Sequence, residues 1–331
     1  MQLRAPSKLL ALLAISVTCV TGLGWSGALL AATYPLPEGH DTVFGEIQHV
    51  VAKHEDTLLD LGRRYGVGYE EIVAANPGVD PWLPGEGTEV IIPSRYILPA
   101  APREGIVVSL AEHRLYYFPP AKAGEPLMVS TYPISVGRMD WKTPLGLTRI
   151  VDKRTRPTWY PPESVRKEHA ADGRPLPRAV PPGPDNPLGE YAMRLGIPGG
   201  AYLIHGTNNP AGVGMQVTHG CIRMFPEDIE QFFKLVPVNT PVRIVHQPSK
   251  MGWQGDALYI EVHKPLEGSA EEGQGHSLTQ ITRALVSATQ DQERTVAIDW
   301  AKAEQAFAQA TGIPESVTLG APGAQLVGSN P

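Results

Sequence analysis

Cys221 stands among residues able to make a thiol reactive. His205 lies sixteen residues upstream, His219 two before it and Arg223 two after, within Thr218-His219-Gly220-Cys221-Ile222-Arg223-Met224. A thiol is a strong nucleophile only as the thiolate, which needs a base or a positive charge beside it. The two histidines are candidate bases and Arg223 supplies the charge. Gly220 lets the backbone approach a substrate carbonyl, so the amides of Gly220 and Cys221 are candidate oxyanion donors. Covalent acyl transfer is the chemistry such a set would perform. Other readings stay open on these residues alone. His205, His219 and Cys221 are zinc-ligand types, although a closed structural site needs a fourth ligand. His219 can equally hold its loop by hydrogen bonds, Arg223 can be a surface ion pair, and a free cysteine is ordinarily a buried small hydrophobe.

The compartment makes the cysteine informative. Arg4 and Lys8 precede an uncharged run from Leu9 to Ala32 that contains Cys19 and ends Leu30-Ala31-Ala32. A basic start, an apolar middle and small residues at the end read as a secretory signal peptide over residues 1–32. An uncleaved anchor is the alternative, because such a run can span a bilayer; Gly22, Gly24 and Gly27 interrupt it and favour cleavage. On either reading the rest of the chain is exported, with Cys221 as its single thiol. An unpaired thiol in an oxidising compartment is a liability unless its chemistry is used. The net charge of −6 leaves no basic footprint for nucleic acid.

The elements that must position these residues can be read next. Glycine and proline together make up about a fifth of the chain (34 and 33 residues), which points to many turns and a mainly β body. Residues 33–45 read as a spacer. Residues 46–94 read as a small α+β unit: a strand at Ile47–Val51, a helix opened by Asp56-Thr57, a second short helix ended by Asn76-Pro77-Gly78, and a closing strand at Val90–Ile92. Residues 94–104 read as a linker. The catalytic body is expected over 104–246. Its strands are 106–108, 115–118, 127–136 and 147–151, then 202–204 and 242–245, which predicts a β-sandwich or open barrel. Between the last two, Pro226 to Leu235 fits a helix with Pro at its first position and acids in its first turn. Residues 157–189 carry nine prolines and are expected as an ordered flap over a site, where excluding water would favour aminolysis over hydrolysis. Residues 247–331 form a C-terminal extension with one strand near 259–263, helical periodicity over 277–309 and a disordered end.

His205-Gly206-Thr207, the loop bearing Gly212 and Gly214, and Thr218 to Met224 together resemble the active-site signature of the YkuD-type L,D-transpeptidases. The likeness continues through Gly105-Ile-Val-Val with Arg114-Leu-Tyr-Tyr, Gly137 through Thr143-Pro144, Gly183-Pro-Asp-Asn-Pro-Leu-Gly, and Ala74-Ala-Asn-Pro-Gly-Val-Asp. Over roughly residues 40–265 it is similar to the ErfK/YbiS/YcfS/YnhG subgroup, and residues 46–94 resemble a LysM glycan-binding module. Thr218 stands where Ser is commoner. In papain-like peptidases Cys precedes His, whereas here the base precedes the thiol.

The resemblance implies that Cys221 is the nucleophile and His205 its general base, oriented by the Gly206 carbonyl. His219 with the Gly220 and Cys221 amides would shape the oxyanion site, and Arg223 would contact a substrate carboxylate. Thr218, Tyr202 and Asn208 border the same segments and are further candidate substrate contacts. No metal and no cofactor is implied. The expected substrate is a peptidoglycan tetrapeptide stem in the periplasm, cut between meso-diaminopimelate and D-Ala. The acceptor is expected to be the Lys of a Braun-type outer-membrane lipoprotein, and next a second stem in a 3–3 cross-link. An L,D-carboxypeptidase using water, or a non-catalytic wall-binding protein, are the alternatives.

Overall fold

In chain order the strands and helices begin with β1 (Ala32–Pro35), β2 (Val43–Gly45), β3 (Gln48–Val51), α1 (Leu58–Tyr65), α2 (Tyr69–Ala75), β4 (Glu89–Ile92) and β5 (Arg95–Ile97). Next come β6 (Gly105–Ser109), β7 (Arg114–Phe118), β8 (Met128–Pro133), β9 (Val136–Gly137), β10 (Gly146–Thr155), α3 (Glu163–Ala171), β11 (Tyr191–Leu195) and β12 (Leu203–His205). After these follow β13 (Gln216–Thr218), β14 (Ile222–Arg223), α4 (Pro226–Leu235), β15 (Pro241–Val245), β16 (Ser249–Gln254), β17 (Ala257–Val262), α5 (Trp300–Gln309) and β18 (Glu315–Ser316). This computed structural model describes residues 32–121, 124–138, 142–199, 202–269, 282, 285, 286 and 296–320. Of the expected signal peptide only Ala32 falls within them. No helix among the described residues is long and apolar enough to cross a membrane.

Nine strands form one sheet in the order β1-β8-β7-β6-β15-β10-β11-β12-β14. The pairs β6–β15 and β12–β14 are parallel and the others antiparallel. Its central strands are buried on both sides. Ile106, Val108, Leu115, Tyr117 and Tyr132 face a core completed by Ile204, Ile222, Ile229 and Phe232, whereas Val107, Tyr116, Phe118 and Val129 face a second cluster with Phe44, Tyr96 and Leu98. Two buried faces explain why β6 reads as a continuous apolar run without alternation. The mainly β open architecture expected from the sequence is the one observed.

Three expectations need correction. The spacer over 33–45 contains β1, which pairs with β8 at the edge of the sheet, and β2. The linker over 94–104 opens with β5, the antiparallel partner of β2. Both were invisible locally because their hydrogen-bond partners lie far away in sequence. The C-terminal part holds a three-stranded sheet, β16-β17-β18, backed by α5, rather than a single strand. Most of the expected helix over 277–295 lies outside the described residues, as does the expected disordered end, 321–331.

Thr57 and Asp60 form a capping box at α1, and Gly66 closes that helix in the left-handed conformation. In this unit Leu58, Leu61, Ile72, Val90 and Ile92 make a small core of their own. A buried ion pair ties it to the large sheet: Arg114, 1% exposed, holds both oxygens of Glu71 at 2.7 and 2.9 Å. The backbones also touch. The amides of Tyr69 and Glu70 donate to the carbonyls of Val213 and Gly214 at 3.3 and 3.1 Å. Gly214 has φ +87°, and a Cβ there would lie 2.2 Å from the Tyr69 nitrogen, so only glycine fits. The first turn of α2 thus uses its free amides to anchor the loop leading to Cys221.

Candidate active site

β12 and β14 run side by side in parallel, with Ile204 opposite Ile222 and His205 opposite Arg223. Side chains alternate along a strand. Ile204 and Ile222 therefore point into the core, and His205, Arg223 and the adjoining Cys221 share the other face. That parity brings base, thiol and cation together. Cys221 is half-buried and His205 is 4% exposed. The His205 Nδ1–H donates to the Gly206 carbonyl at 2.6 Å. A carbonyl only accepts, so Nδ1 carries the proton and Nε2 is the basic nitrogen.

The electrostatics favour neutral partners. Burial, helped by the nearby Arg223 charge, lowers the His205 pKa to about 3, while the Gly206 carbonyl opposes this in part. Burial pushes the Cys221 thiol up, against the Leu203 amide and the Arg223 charge, which favour the thiolate. Both shifts favour the neutral imidazole and the neutral thiol in the resting site. Among the described residues Arg223 has no ion-pair partner, and its Nε is buried without a hydrogen bond.

The turn before β14 is held by side chains around it. Thr218 donates its hydroxyl to the Cys221 carbonyl at 2.6 Å, and Thr143 donates to the Gly220 carbonyl at 3.0 Å while accepting from the Gly137 amide at 3.3 Å. Ser135 and Arg223 exchange backbone hydrogen bonds at 2.8 and 3.1 Å. Gly220 adopts φ +93°, a conformation that glycine enters at little cost. Carbonyls fixed in this way hold the Gly220–Cys221 peptide unit in one orientation.

His219 is half-buried and its Nε2 lies 3.0 Å from Glu168 Oε2. Glu168 belongs to α3, inside the proline-rich flap, and its other oxygen pairs with Arg138. Arg138 Nη2 is 3.3 Å from His219 Nε2. Burial lowers the His219 pKa, Glu168 raises it, and Arg138 and His169 lower it further. The flap is anchored at its base by mutual Trp159–Val180 backbone bonds and by buried Asn186, whose amide donates to the Pro157 carbonyl at 2.8 Å.

Two expected substrate contacts stand elsewhere. Tyr202 shares the parity of Ile204 and packs against the main core, away from the thiol. Thr218 is 2% exposed and its hydroxyl is engaged by Cys221, so it shapes the turn. Asn208 is exposed; it donates to the Pro184 carbonyl at 3.0 Å and lines a cleft of about 640 Å³ with Gly206 and Glu230. His205, His219 and Cys221 do not form a metal-ligand group. Among the described residues the one such group is Glu112, Glu261 and His263, and Lys250 bridges its two carboxylates at 2.8 Å. Glu168 went unmarked in the sequence, and Arg138 and Thr143 fell within the Gly137–Thr143 likeness without a role assigned to either. The proline-free run Glu163–Ala171 was the available signal for α3, but nothing local pairs Glu168 with His219, 51 positions away.

The model of the L,D-transpeptidase catalytic domain, YkuD, matches residues 103–244. The chain is 43% identical to the probable L,D-transpeptidase YcfS of Escherichia coli, over 73% of this chain and 76% of that protein. It is 38% identical to the probable L,D-transpeptidase YbiS of Escherichia coli, over 88% and 94%. With the probable L,D-transpeptidase ErfK/SrfK of Salmonella typhimurium it shares 36% identity over 89% and 94%.

Proposed function

The chain belongs to the YkuD family of L,D-transpeptidases, and from that premise we propose that Cys221 takes an acyl group from a peptidoglycan tetrapeptide stem and passes it to an amine. The observation carrying this reading is the register of β12 and β14, which sets His205, its Nδ1 committed to Gly206, opposite Arg223, two residues after the half-buried Cys221. Cys221 Sγ attacks the carbonyl carbon between meso-diaminopimelate and D-Ala while its proton passes to His205 Nε2. The developing oxyanion is met by the Gly220 and Cys221 amides. His205 returns the proton to the departing D-Ala amine, leaving a thioester. An acceptor amine then attacks, again giving its proton to His205, and the thiol is restored. Arg223 contacts a donor carboxylate with its unsatisfied guanidinium.

The finer assignments follow from the likeness to the relatives over most of their length. The reaction conserves bond energy in the thioester and so suits the periplasm, where no nucleotide drives synthesis. The acceptor is the Lys of a Braun-type lipoprotein, with 3–3 stem cross-linking next. The unit over 46–94 is a LysM-like module bound to the catalytic region over 104–246, with residues 247–331 as an extension. Incubation with tetrapeptide muropeptides, with and without such a lipoprotein, followed by mass spectrometry tests this. Lipoprotein-linked tripeptide supports the preferred acceptor, cross-linked dimer the second, and bare tripeptide a carboxypeptidase. Product from the Cys221→Ala protein would overturn the mechanism.

A further inference from the structure

Glu168 has no part in that chemistry, yet its carboxylate is clamped by a guanidinium and by the imidazole of His219, two residues before the nucleophile. Oε1 pairs with Arg138 and Oε2 lies 3.0 Å from His219 Nε2. A carboxylate held by two cationic or donor groups beside a catalytic thiol has the form of a bound substrate acid. We propose that Arg138 and His219 form a carboxylate subsite of the donor pocket, which Glu168 fills in the substrate-free enzyme and yields to a carboxylate of the stem. This rests on the donor reading above and adds the residues that read its charge.

Four observations support it. The Arg138 fork is only partly used, since its Nε is buried without a hydrogen bond. A ligand carboxylate lying in the guanidinium plane can take two donors at once, a stronger arrangement than a single contact. Both donors are fixed to the nucleophile's own turn: His219 lies within it, and the Arg138 amide donates to the Thr218 carbonyl at 3.0 Å.

Glu168 itself is cheaply displaced. Its side chain is 33% exposed and that of Arg138 37%. α3 buries only Val165 and has no side-chain cap at its N-terminus. Finally, Arg223, two residues after Cys221, has its own Nε buried and unsatisfied. Two guanidiniums tied to the nucleophile's turn suit a donor carrying more than one carboxylate. The two nearest the cut bond of a tetrapeptide stem are those at the D-Ala terminus and at the D-centre of diaminopimelate. His169 also faces His219, so the local charge at the subsite comes from Arg138, Glu168, His169 and His219.

Binding to the Cys221→Ala protein tests the subsite without turnover. Calorimetry would compare the tetrapeptide with two analogues, one amidated at the D-Ala terminus and one at the diaminopimelate side chain. Glu168→Ala is expected to tighten the parent peptide about two- to fivefold, the strength of an exposed ion pair. Arg138→Ala should weaken it about tenfold or more, with Arg138→Lys between. One amidated analogue should lose both responses, which identifies the carboxylate. Unchanged or weaker binding in Glu168→Ala overturns the subsite, as does the persistence of both responses in each of the two amidated analogues. If the parent peptide does not bind at all, the donor reading itself falls, and the subsite with it.

Discussion

Replacing His205 with Ala should separate two reactivities of Cys221. In the structure the imidazole is buried, its Nδ1 is held by Gly206 at 2.6 Å, and its pKa is about 3. Burial keeps His205 neutral at pH 7. The thiol is pushed above its ordinary value, which disfavours the thiolate. An ion pair is therefore not waiting in the resting enzyme, and His205 acts only as the proton leaves. Alkylation by iodoacetamide needs the thiolate but no proton acceptor in the transition state. It should change by less than about threefold in His205→Ala, and in both proteins rise with pH through a single ionisation above the ordinary thiol range. Acyl transfer from a stem peptide should fall by about 10²–10⁴, the usual worth of a positioned general base. The sign with pH follows. His205 must be neutral to work and stays so down to about pH 3, so acidification from pH 7 to pH 6 should not remove the base. Wild-type alkylation that is already at its plateau below pH 7, and loses that plateau in His205→Ala, would show a preformed thiolate–imidazolium pair and refute this reasoning.

Glu71→Gln places an amide donor against the buried Arg114 fork and leaves its charge uncompensated, at a cost of about 3–5 kcal/mol. Thermal unfolding should show a Tm drop on the order of 10 °C, whereas Glu71→Met with Arg114→Met should lie near wild type; equal losses in both would argue against a charge effect. Arg223→Ala should raise the donor KM by about tenfold or more, as expected for loss of a charge-assisted hydrogen bond. Lys should restore only part of it, because the planar fork is lost, and a pure kcat effect in steady-state kinetics would place Arg223 elsewhere in the cycle.

Local chemistry made part of this protein legible. Pro226 at the first position with Glu227 and Asp228 behind it announces α4, and the structure begins that helix there. Thr57 and Asp60 announce α1 in the same way. The base, thiol and cation were readable because a nucleophile's needs are met by residue types at short range. What stayed hidden depends on partners far along the chain. β1 and β5 carry no strong strand signal of their own, and only β8 and β2 make them strands. Tyr202 and Leu203 are neighbours in sequence, yet the pairing of β12 with β14 sends one to the core and leaves the other beside the site. Glu168 meets Arg138 and His219 only because the flap folds back. Ionisation also had to wait for the fold. Isolated imidazole and thiol have ordinary pKa values, and it is removal from water that drives His205 down and Cys221 up.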